Sequence, residues 1–416
     1  MDDIGAQLRR HHDRAVPPPT TADEAIRRAS PTEPPHRRRR VLAATAVAAA
    51  TVVLGTFLYA ARDRSEPVDV STGETSTTAP PTNEPPRFPM LVASTPAQPS
   101  LDLVELGGDP RRQVTVADPQ LAGLSGATAA SDGRLAVWAG STVWWWSTSG
   151  ERRADIDTGP GVPGVAVTLR AVFSPEPDGL WVVHPGSDFF DPIRPTAVWW
   201  VDTSTGDVRP VSTDLPPGLF PIGTLSTGDV VLRDVGVDPR VSSDVVILTS
   251  QGNAASHVGY PLAVAGDSVV VQRCNETDCQ LVAIDPSAQT ETTLTESGDA
   301  TFVGLGGPLI PGDYVPLTTA SPSGRQVLVG RRANDSDVTS AVLVDLALGS
   351  VVDLGTLGTS GVQLAFFSCD GQSIAAAGRD GDVVATIDGT TIGGAAPTPF
   401  GLPADRWIVG LGSCTE

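Results

Sequence analysis

The chain contains no lysine, and all 28 of its basic residues are arginine. Acidic residues number 48, so the formal net charge is −20 at pH 7. Residues 1–40 hold nine arginines and six acids, so the remaining residues 41–416 carry −23. Proteins hold nucleic acid through its phosphates with clustered basic residues, so this acidic portion excludes nucleic acid as a partner. The same charge repels anionic lipids and envelope polymers.

Cysteine and histidine are scarce as well. Structural zinc needs closely spaced cysteine pairs with further Cys or His ligands. His184 and His257 are the two histidines after residue 40, and neither has such spacing or the sequence context of a nucleophile–base pair. No phosphate-binding glycine loop occurs, since Gly304, Gly306 and Gly307 follow no strand–helix pattern. We therefore expect no catalytic residue, no cofactor and no metal site, and we predict that the protein is not an enzyme.

Long apolar runs are absent except for one. Four arginines, 37–40, lead directly into the uncharged segment 41–61, in which only Thr45, Thr51, Gly55 and Thr56 are not apolar. A helix of this length spans about 31 Å, close to the hydrocarbon thickness of a bilayer. Arginine clusters stay on the cytoplasmic side, so the amino terminus is predicted to lie inside and the rest of the chain outside. A cleaved signal peptide is the weaker interpretation, because Tyr59 stands where a small residue is required.

The segments around this run follow from composition. Residues 1–40 are predicted to be a mostly disordered cytoplasmic tail, and 41–61 a transmembrane helix. Residues 62–88 are rich in Pro, Thr and Ser and predict an extended linker, with an extracytoplasmic domain over 89–416. The predicted location is the cell membrane, crossed once. In an oxidising compartment paired thiols are expected, which predicts structural disulfides among Cys274, Cys279, Cys369 and Cys414.

From about residue 88 onward, helical periodicity gives way to short β-branched or aromatic runs between turns. Asp or Ser stands beside glycine in each recurring turn, at Gly133, Gly179, Gly228, Gly266, Gly324 and Gly371. Each unit then has a third apolar strand that ends in a polar turn, usually with glycine, and a short fourth strand. Four strands per repeat of about 40–50 residues are typical of a β-propeller blade.

Two segments carry a resemblance to a known family. SPSGRQVLVGRR and SCDGQSIAAAGRD are similar to the repeat motif of WD40-like, TolB-type β-propellers, over six units in residues 124–395. The Gly-His and Trp-Asp dipeptides of true WD40 repeats do not occur. The composition, without lysine and rich in Ala, Gly, Pro, Asp and Val, resembles that of actinobacterial proteomes. The resemblance implies a propeller fold, and its turn motif carries no chemistry.

Six units leave two orphan regions: a strand near 405–412 and three strands within 90–116. Together they complete a seventh blade in which the C-terminal strand is innermost. The predicted fold is therefore all-β: a seven-bladed propeller closed by its last strand and preceded by a single transmembrane helix. Closure removes exposed sheet edges. On this register, Cys369 and Cys414 follow the innermost strands of neighbouring blades, and Cys274 and Cys279 flank a hairpin tip.

Other motifs have two interpretations each. The runs Trp144-Trp145-Trp146 and Trp199-Trp200 suit ligand stacking or packing between blades, and packing is favoured because stacked sheets need large apolar side chains. The loop Asn334-Asp335-Ser336-Asp337 has the oxygen ligands of a calcium site, or it is a solvated hairpin loop. The solvated loop is favoured because the rest of a calcium ligand set is missing. Scattered carboxylates leave a glycosidase pair open, since their separation in space cannot be read from sequence.

Three functions remain. The favoured one is a membrane-anchored binding or assembly module whose partner is a protein or an envelope ligand. The second is a transmembrane signalling regulator, similar in plan to anti-sigma regulators, with the propeller as sensor and residues 1–40 as output. The tail has His11, His12 and His36 but lacks the cysteines of the zinc-type members of that class. The third is an extracytoplasmic hydrolase, which the scarcity of histidine disfavours.

Overall fold

The structure is a computed structural model, and all of its described residues belong to the compact unit Asn83–Glu416. These residues are 87–93, 100–105, 110–115, 124–130, 132–147, 150–159, 169–176, 178–186, 194–234, 240, 244–275, 278–298, 300–305, 319–333, 336, 338–378, 382–388, 391–392, 396–397 and 407–411. The predicted cytoplasmic tail, transmembrane helix and nearly all of the linker lie outside them. Among the residues described, no helix has the length and apolar character needed to cross a membrane.

Strands are the only regular secondary structure among the described residues. In chain order they are β1 (Pro89–Ala93), β2 (Ser100–Glu105), β3 (Pro110–Thr115), β4 (Leu124–Ala129), β5 (Leu135–Ala139), β6 (Thr142–Ser147), β7 (Gly150–Asp155), β8 (Arg170–Phe173), β9 (Gly179–His184), β10 (Thr196–Asp202), β11 (Val208–Leu215), β12 (Leu219–Thr224), β13 (Val230–Asp234), β14 (Asp244–Leu248), β15 (Ala254–Val258), β16 (Tyr260–Ala265), β17 (Ser268–Cys274), β18 (Cys279–Asp285), β19 (Thr290–Gly298), β20 (Ala300–Gly304), β21 (Gln326–Ala333), β22 (Thr339–Asp345), β23 (Ser350–Gly355), β24 (Val362–Phe367), β25 (Ser373–Gly378), β26 (Asp382–Asp388), β27 (Thr391–Ile392), β28 (Ala396–Pro397) and β29 (Trp407–Leu411).

These strands form antiparallel sheets, and in all but one of the described sheets the strands pair in chain order. We number six of them along the chain: sheet 1 (β4–β7), sheet 2 (β8–β11), sheet 3 (β12–β15), sheet 4 (β16–β19), sheet 5 (β20–β23) and sheet 6 (β24–β27, with β28 also on β26). The first strands of sheets 1 and 2, 2 and 3, 3 and 4, and 4 and 5 contact each other. This succession of four-stranded meanders confirms the predicted all-β class and is the arrangement of propeller blades.

One further sheet joins the two ends of the folded unit. In this closing sheet (β29–β1–β2–β3), the C-terminal strand pairs antiparallel with β1, from Met90 opposite Leu411 to Ala93 opposite Trp407. β29 also contacts β4, the first strand of sheet 1. The strand order is the one that the sequence predicts for the two orphan regions. The folded unit begins before β1, since Phe88 is buried with its ring 5.9 Å from that of Phe366.

The turn glycines explain where the strands end. Five of the six predicted turn positions have a positive φ, from 57° at Gly266 to 88° at Gly228, a region that glycine enters at no steric cost. Gly179 is the exception: its φ is not positive, but a Cβ there would lie 2.2 Å from the Trp200 ring. The turn after β18 lacks a glycine, and Gln289 takes the left-handed conformation instead, with φ 53°.

Burial follows strand position within a sheet. Second strands such as β9 and β13 are almost wholly buried, whereas fourth strands such as β11 and β15 are exposed or half-buried. The apolar side chains cluster between successive sheets. One cluster joins sheets 1 and 2, and others join 2 with 3, 3 with 4, 4 with 5, and 5 with 6. The core is therefore a series of inter-sheet layers, as blade packing requires.

Candidate functional site

The sheets have two ends with different construction. We call the turn end the one that carries the turns between first and second strands and between third and fourth strands. The loop end carries the connections between second and third strands and the starts of the first strands. At the turn end, hydrogen bonds link sheet 1 to sheet 2, sheet 2 to sheet 3, sheet 3 to sheet 4, and the turn of sheet 6 to the chain just before β1. The hydrogen bonds are Trp145 Nε1 to Thr203 O (2.9 Å), Trp181 Nε1 to Gly228 O (2.9 Å), Ser226 N to Gly266 O (3.0 Å) and Cys369 N to Arg87 O (2.9 Å).

Aspartates close the turns that follow the third strands. Asp202 Oδ1 accepts hydrogen bonds from the N–H groups of Ser204 and Thr205, each at 2.9 Å. Asp285 Oδ1 accepts in the same way from Ser287 and Ala288, at 3.0 and 2.9 Å. The Ser204 hydroxyl lowers the pKa of Asp202 most, and the Ala288 N–H lowers the pKa of Asp285 most. Asp345 repeats the arrangement with Ala347 and Leu348. These three carboxylates shape the turns.

The tryptophan runs are packing residues. Trp144, Trp145, Trp146 and Trp199 are buried, and half-buried Trp200 meets Trp181 edge to face at 4.9 Å. Trp145 and Trp199 belong to the cluster between sheets 1 and 2. The predicted role in inter-blade packing is confirmed, and no row of stacked rings is left for a ligand among these residues.

At the loop end, buried arginines stack on aromatic rings of the next sheet. The Arg170 guanidinium in β8 lies 5.6 Å from the Phe220 ring centroid in β12. Arg233 in β13 lies 5.4 Å from that of Tyr260 in β16, and its Nη1 donates to Pro261 O. Both side chains are almost fully buried, and burial lowers the pKa of Arg233. Desolvated cation–π contacts of this kind contribute about 2 kcal/mol.

Two further contacts extend this layer. The buried Gln272 side chain in β17 accepts a hydrogen bond from Phe302 N–H in β20. Arg240, between β13 and β14, donates from Nε to Thr301 Oγ1 at 2.8 Å. Thr301 belongs to sheet 5, so a connection of sheet 3 reaches past sheet 4 to the start of a first strand. The loop end is thus held by long-range side-chain contacts.

The candidate histidines lie apart in the fold. His184 ends β9, where its Nδ1 accepts the N–H of Gly186 at 3.1 Å. His257 lies in the outer strand β15, and its charge is one of the minor causes that lower the pKa of Glu291. The main cause is the ion pair with Arg273, whose Nη2 lies 2.6 Å from Glu291 Oε1. The two histidines serve a turn and a surface cluster in different sheets.

The remaining motifs have equally local roles. In the acidic loop, the Ser336 N–H donates to Ala333 O, and the other three residues lie outside the described residues. Gly304 ends β20, while Gly306 and Gly307 are not described. Within the described ranges, no group of three or more His, Cys, Asp or Glu side chains could hold a metal ion.

The disulfides divide into two kinds. Cys274 and Cys279 are joined across the hairpin between β17 and β18, where they lie directly opposite each other. Cys369, in the turn between β24 and β25, is also disulfide-bonded. Its predicted partner, Cys414, lies outside the described residues.

Sequence reasoning missed the arginine–aromatic layer. A signal was present: the first strands of sheets 3 and 4 begin LFP and YPL, and the second strands end in LRD and QRC. In both sheets an aromatic residue stands directly before a proline in the first strand and pairs with a long polar residue in the second strand. Phe220 pairs with Arg233, and Tyr260 pairs with Gln272. The partners in the two stacks are 27 and 50 residues apart in the chain, so strand patterning alone could not join them.

The strand order defines a protein of the β-propeller class. No protein-family model matches the chain, and no curated protein matches it. Several solved structures are similar. A Lactobacillus plantarum protein is 9% identical with a TM-score of 0.47, covering 78% of this chain and 99% of its own. TolB from Acinetobacter baumannii is 12% identical with a TM-score of 0.35, covering 75% and 82%. The Dos1 propeller is 13% identical with a TM-score of 0.41, covering 71% and 75%.

Proposed function

We propose that this protein is a single-pass membrane protein that displays a closed, seven-bladed β-propeller outside the cell as a binding or assembly module. In this proposal residues 1–40 are cytoplasmic, 41–61 cross the membrane and the remainder is extracytoplasmic. The observation that carries the module is the set of hydrogen bonds between neighbouring sheets at the turn end, which links these sheets to one another.

The closed ring is supported from both sides of the closing sheet. On one side β29 contacts β4 of sheet 1. On the other side, Arg87 and Phe88 contact the turn and first strand of sheet 6 through Cys369 and Phe366. Six sheets in sequence and one closing sheet then make seven blades. A ring of this kind leaves short, protected sheet edges and presents two faces and a central channel to partners.

We assign the partner to the loop end. At the turn end, the described aspartates Asp202 and Asp285 and several backbone groups are already hydrogen-bonded within and between turns, so they are not available to a partner. The loop end carries the longer connections, such as 185–195 and 235–243, on a scaffold held by the arginine layer. Binding residues are commonly placed on loops that a rigid scaffold positions. The partner in this proposal is a protein or an envelope ligand.

Photo-crosslinking tests this assignment with a matched pair of positions. Val338 lies at the loop end of sheet 5 and Leu348 at its turn end, and their exposed fractions are 44% and 71%. A photoreactive residue at Val338 in the full-length protein in its own membranes should give a discrete crosslinked product, and one at Leu348 should not. Equal products at both positions, or none at Val338 with a product at Leu348, would contradict the assignment.

Two controls separate the membrane and signalling questions. Full-length protein should remain in carbonate-washed membranes, whereas Val47→Arg with Leu54→Arg should release it, since each central arginine costs about 3 kcal/mol in a bilayer. Recovery of the unaltered protein in the soluble fraction would refute the anchor.

A cytoplasmic factor that co-purifies and is lost on deleting residues 2–30 would favour the signalling regulator over a purely external module.

A further inference from the structure

The closing sheet differs from the other sheets in how its first two strands are connected. In sheets 1–6 a turn or loop joins the first strand to the second. In the closing sheet, β29 and β1 come from opposite ends of the folded unit, so no turn joins them, and they pair antiparallel with a register shift between Leu91 and Val92. Bringing such distant segments together has the largest loop-closure entropy of any strand pair in the fold. Terminal strands are also where local opening concentrates.

The neighbouring turn of sheet 6 fastens this junction. The Cys369 N–H donates to Arg87 O at 2.9 Å, directly before β1. The turn itself is rigid, because Ser368 N–H donates to Ser373 O and Gly371 N–H donates to Ser368 O, at 2.8 and 2.9 Å. The turn therefore presents the backbone and the sulfur of Cys369 at a fixed place beside the closing sheet.

The covalent chemistry at Cys369 points to the same junction. Cys274 and Cys279 are bonded to each other, and Cys369 is disulfide-bonded as well. Cys414 is the one remaining cysteine of the four, and in sequence it follows β29 by three positions. A bond between Cys369 and Cys414 would link the C-terminal strand to the neighbouring sheet and close a chain segment of roughly 45 residues, which the chain-entropy model values at about 4 kcal/mol.

We propose that the closing sheet is a redox-sensitive seam, held shut by the disulfide of Cys369. A dithiol reductant attacks this bond by thiol–disulfide exchange. The protein disulfide becomes two thiols, and the reductant becomes a cyclic disulfide. β29 then keeps its backbone pairing to β1 and its contact with β4 but loses its covalent link to sheet 6, and the closing sheet opens without the unfolding of sheets 1–5. The inference goes beyond the proposed binding function and holds whether or not residues 41–61 anchor the chain.

The hairpin disulfide provides an internal contrast. Cys274 and Cys279 are five positions apart and lie opposite each other in one ladder. The hairpin between β17 and β18 already holds them together, so cutting this bond frees a hairpin tip and not a sheet. Reduction should therefore have a local effect at sheet 4 and a larger effect at the closing sheet.

Hydrogen–deuterium exchange of the full-length protein, with and without dithiothreitol, tests the seam. The variant Cys274→Ser with Cys279→Ser isolates the Cys369 bond, and mass spectrometry verifies its reduction. Amides of 87–93 and 407–411 should exchange at least tenfold faster after reduction, while those of sheets 2 and 3 keep their protection. The variant Cys369→Ser with Cys414→Ser should exchange fast in the same peptides without reductant, and dithiothreitol should add nothing.

Three results would overturn the proposal. The first is unchanged exchange in 87–93 and 407–411 after verified reduction. The second is an equal rise in every sheet, which would mean global unfolding and not a seam. The third is a non-reducing peptide map in which Cys369 is not linked to the C-terminal peptide. None of these results depends on membrane anchoring or on partner binding, so the seam and the proposed function can fail separately.

Discussion

The turn end and the loop end of the sheets are held by different kinds of interaction. At the turn end, each turn is closed by neighbours in sequence: Asp285, for example, binds N–H groups two and three positions ahead. At the loop end, Arg233 reaches a ring 27 positions away, and Arg240 bonds a hydroxyl 61 positions away. The first end combines local turn bonds with indole-to-backbone bonds between sheets, and the second is held by side chains that meet only after the sheets have packed.

This difference assigns separate tasks to the two ends. Each local turn has hydrogen bonds of its own, such as those that Asp285 accepts from Ser287 and Ala288. Each buried arginine of the loop end contacts a ring in the neighbouring sheet, so a single substitution there removes packing from two sheets. A rigid turn end with a side-chain layer beneath the loop end is a suitable platform for variable loops.

Loss of the Arg233 side chain should destabilise the protein far more than loss of a surface arginine. Arg233→Ala removes the stack on Tyr260 and the hydrogen bond to Pro261 O, and leaves a cavity between sheets 3 and 4. We expect the free energy of unfolding to fall by about 2–4 kcal/mol. Denaturant unfolding of the purified protein measures this loss.

Arg331→Ala is the matched control for that change. Its ion pair with Asp353 is 3.0 Å long, but both side chains are more than 40% exposed. Exposed pairs contribute about 1 kcal/mol or less, so this variant should be near the parent protein. Equal losses for the two arginines would show that the buried layer is no more important than surface pairs.

The sequence predicts the parts of the fold that depend on near neighbours. Turn positions follow from glycine beside Asp or Ser, and strands follow from alternating or continuous apolar runs, so the all-β class and the sheet order could be read directly. At Gly179 the sequence predicts a turn glycine correctly, but the physical reason for the glycine is different. The turn signal is correct there, but steric contact with Trp200 requires the glycine, and that contact joins β9 to β10.

The sequence does not predict the side-chain contacts between neighbouring sheets. Phe220, Tyr260, Arg170 and Arg233 look like ordinary strand residues in the sequence, and their pairing depends on the rotation of one sheet against the next. The candidate histidines illustrate the same limit. Sequence reasoning could say that two histidines are too few for common catalytic patterns, but only the fold places them in different sheets.

A second comparison tests the indole contacts at the turn end. Trp181 Nε1 donates to Gly228 O, whereas Trp138 Nε1 is buried with no hydrogen-bond partner among the described residues. Trp181→Phe should cost about 1–2 kcal/mol more than Trp138→Phe, because it leaves the Gly228 carbonyl without its donor. The midpoints of urea unfolding measure the difference. If the two variants lose equal stability, the indole bond between sheets 2 and 3 contributes nothing.

Gln289 offers a smaller and opposite change. It has φ 53° in the turn where the other units place glycine, and its side chain is exposed. Gln289→Gly should relieve backbone strain and raise the free energy of unfolding by about 0.5–1 kcal/mol. Leu348→Gly, in the corresponding turn of sheet 5, is the control, since Leu348 has no positive φ to relieve. A loss of stability in Gln289→Gly would mean that the strain is offset by contacts of the side chain.

The smallest expected effect is the pH dependence of the turn aspartates. Hydrogen bonds to the charged form lower the pKa of Asp202 and of Asp285 from 3.8. A lowered pKa in the folded state means that the carboxylate stabilises the fold above pH 3.8 and that this contribution disappears as the pH falls through the folded value. Each contribution should be below about 1 kcal/mol, because solvent screens these groups.

The double variant Asp202→Asn with Asp285→Asn should therefore be less stable than the parent protein at pH 7, and this difference in the free energy of unfolding should narrow towards pH 3. Should the gap stay constant with pH, the carboxylates would act as neutral acceptors, and the local chemistry attributed to the turn end would not include their charge.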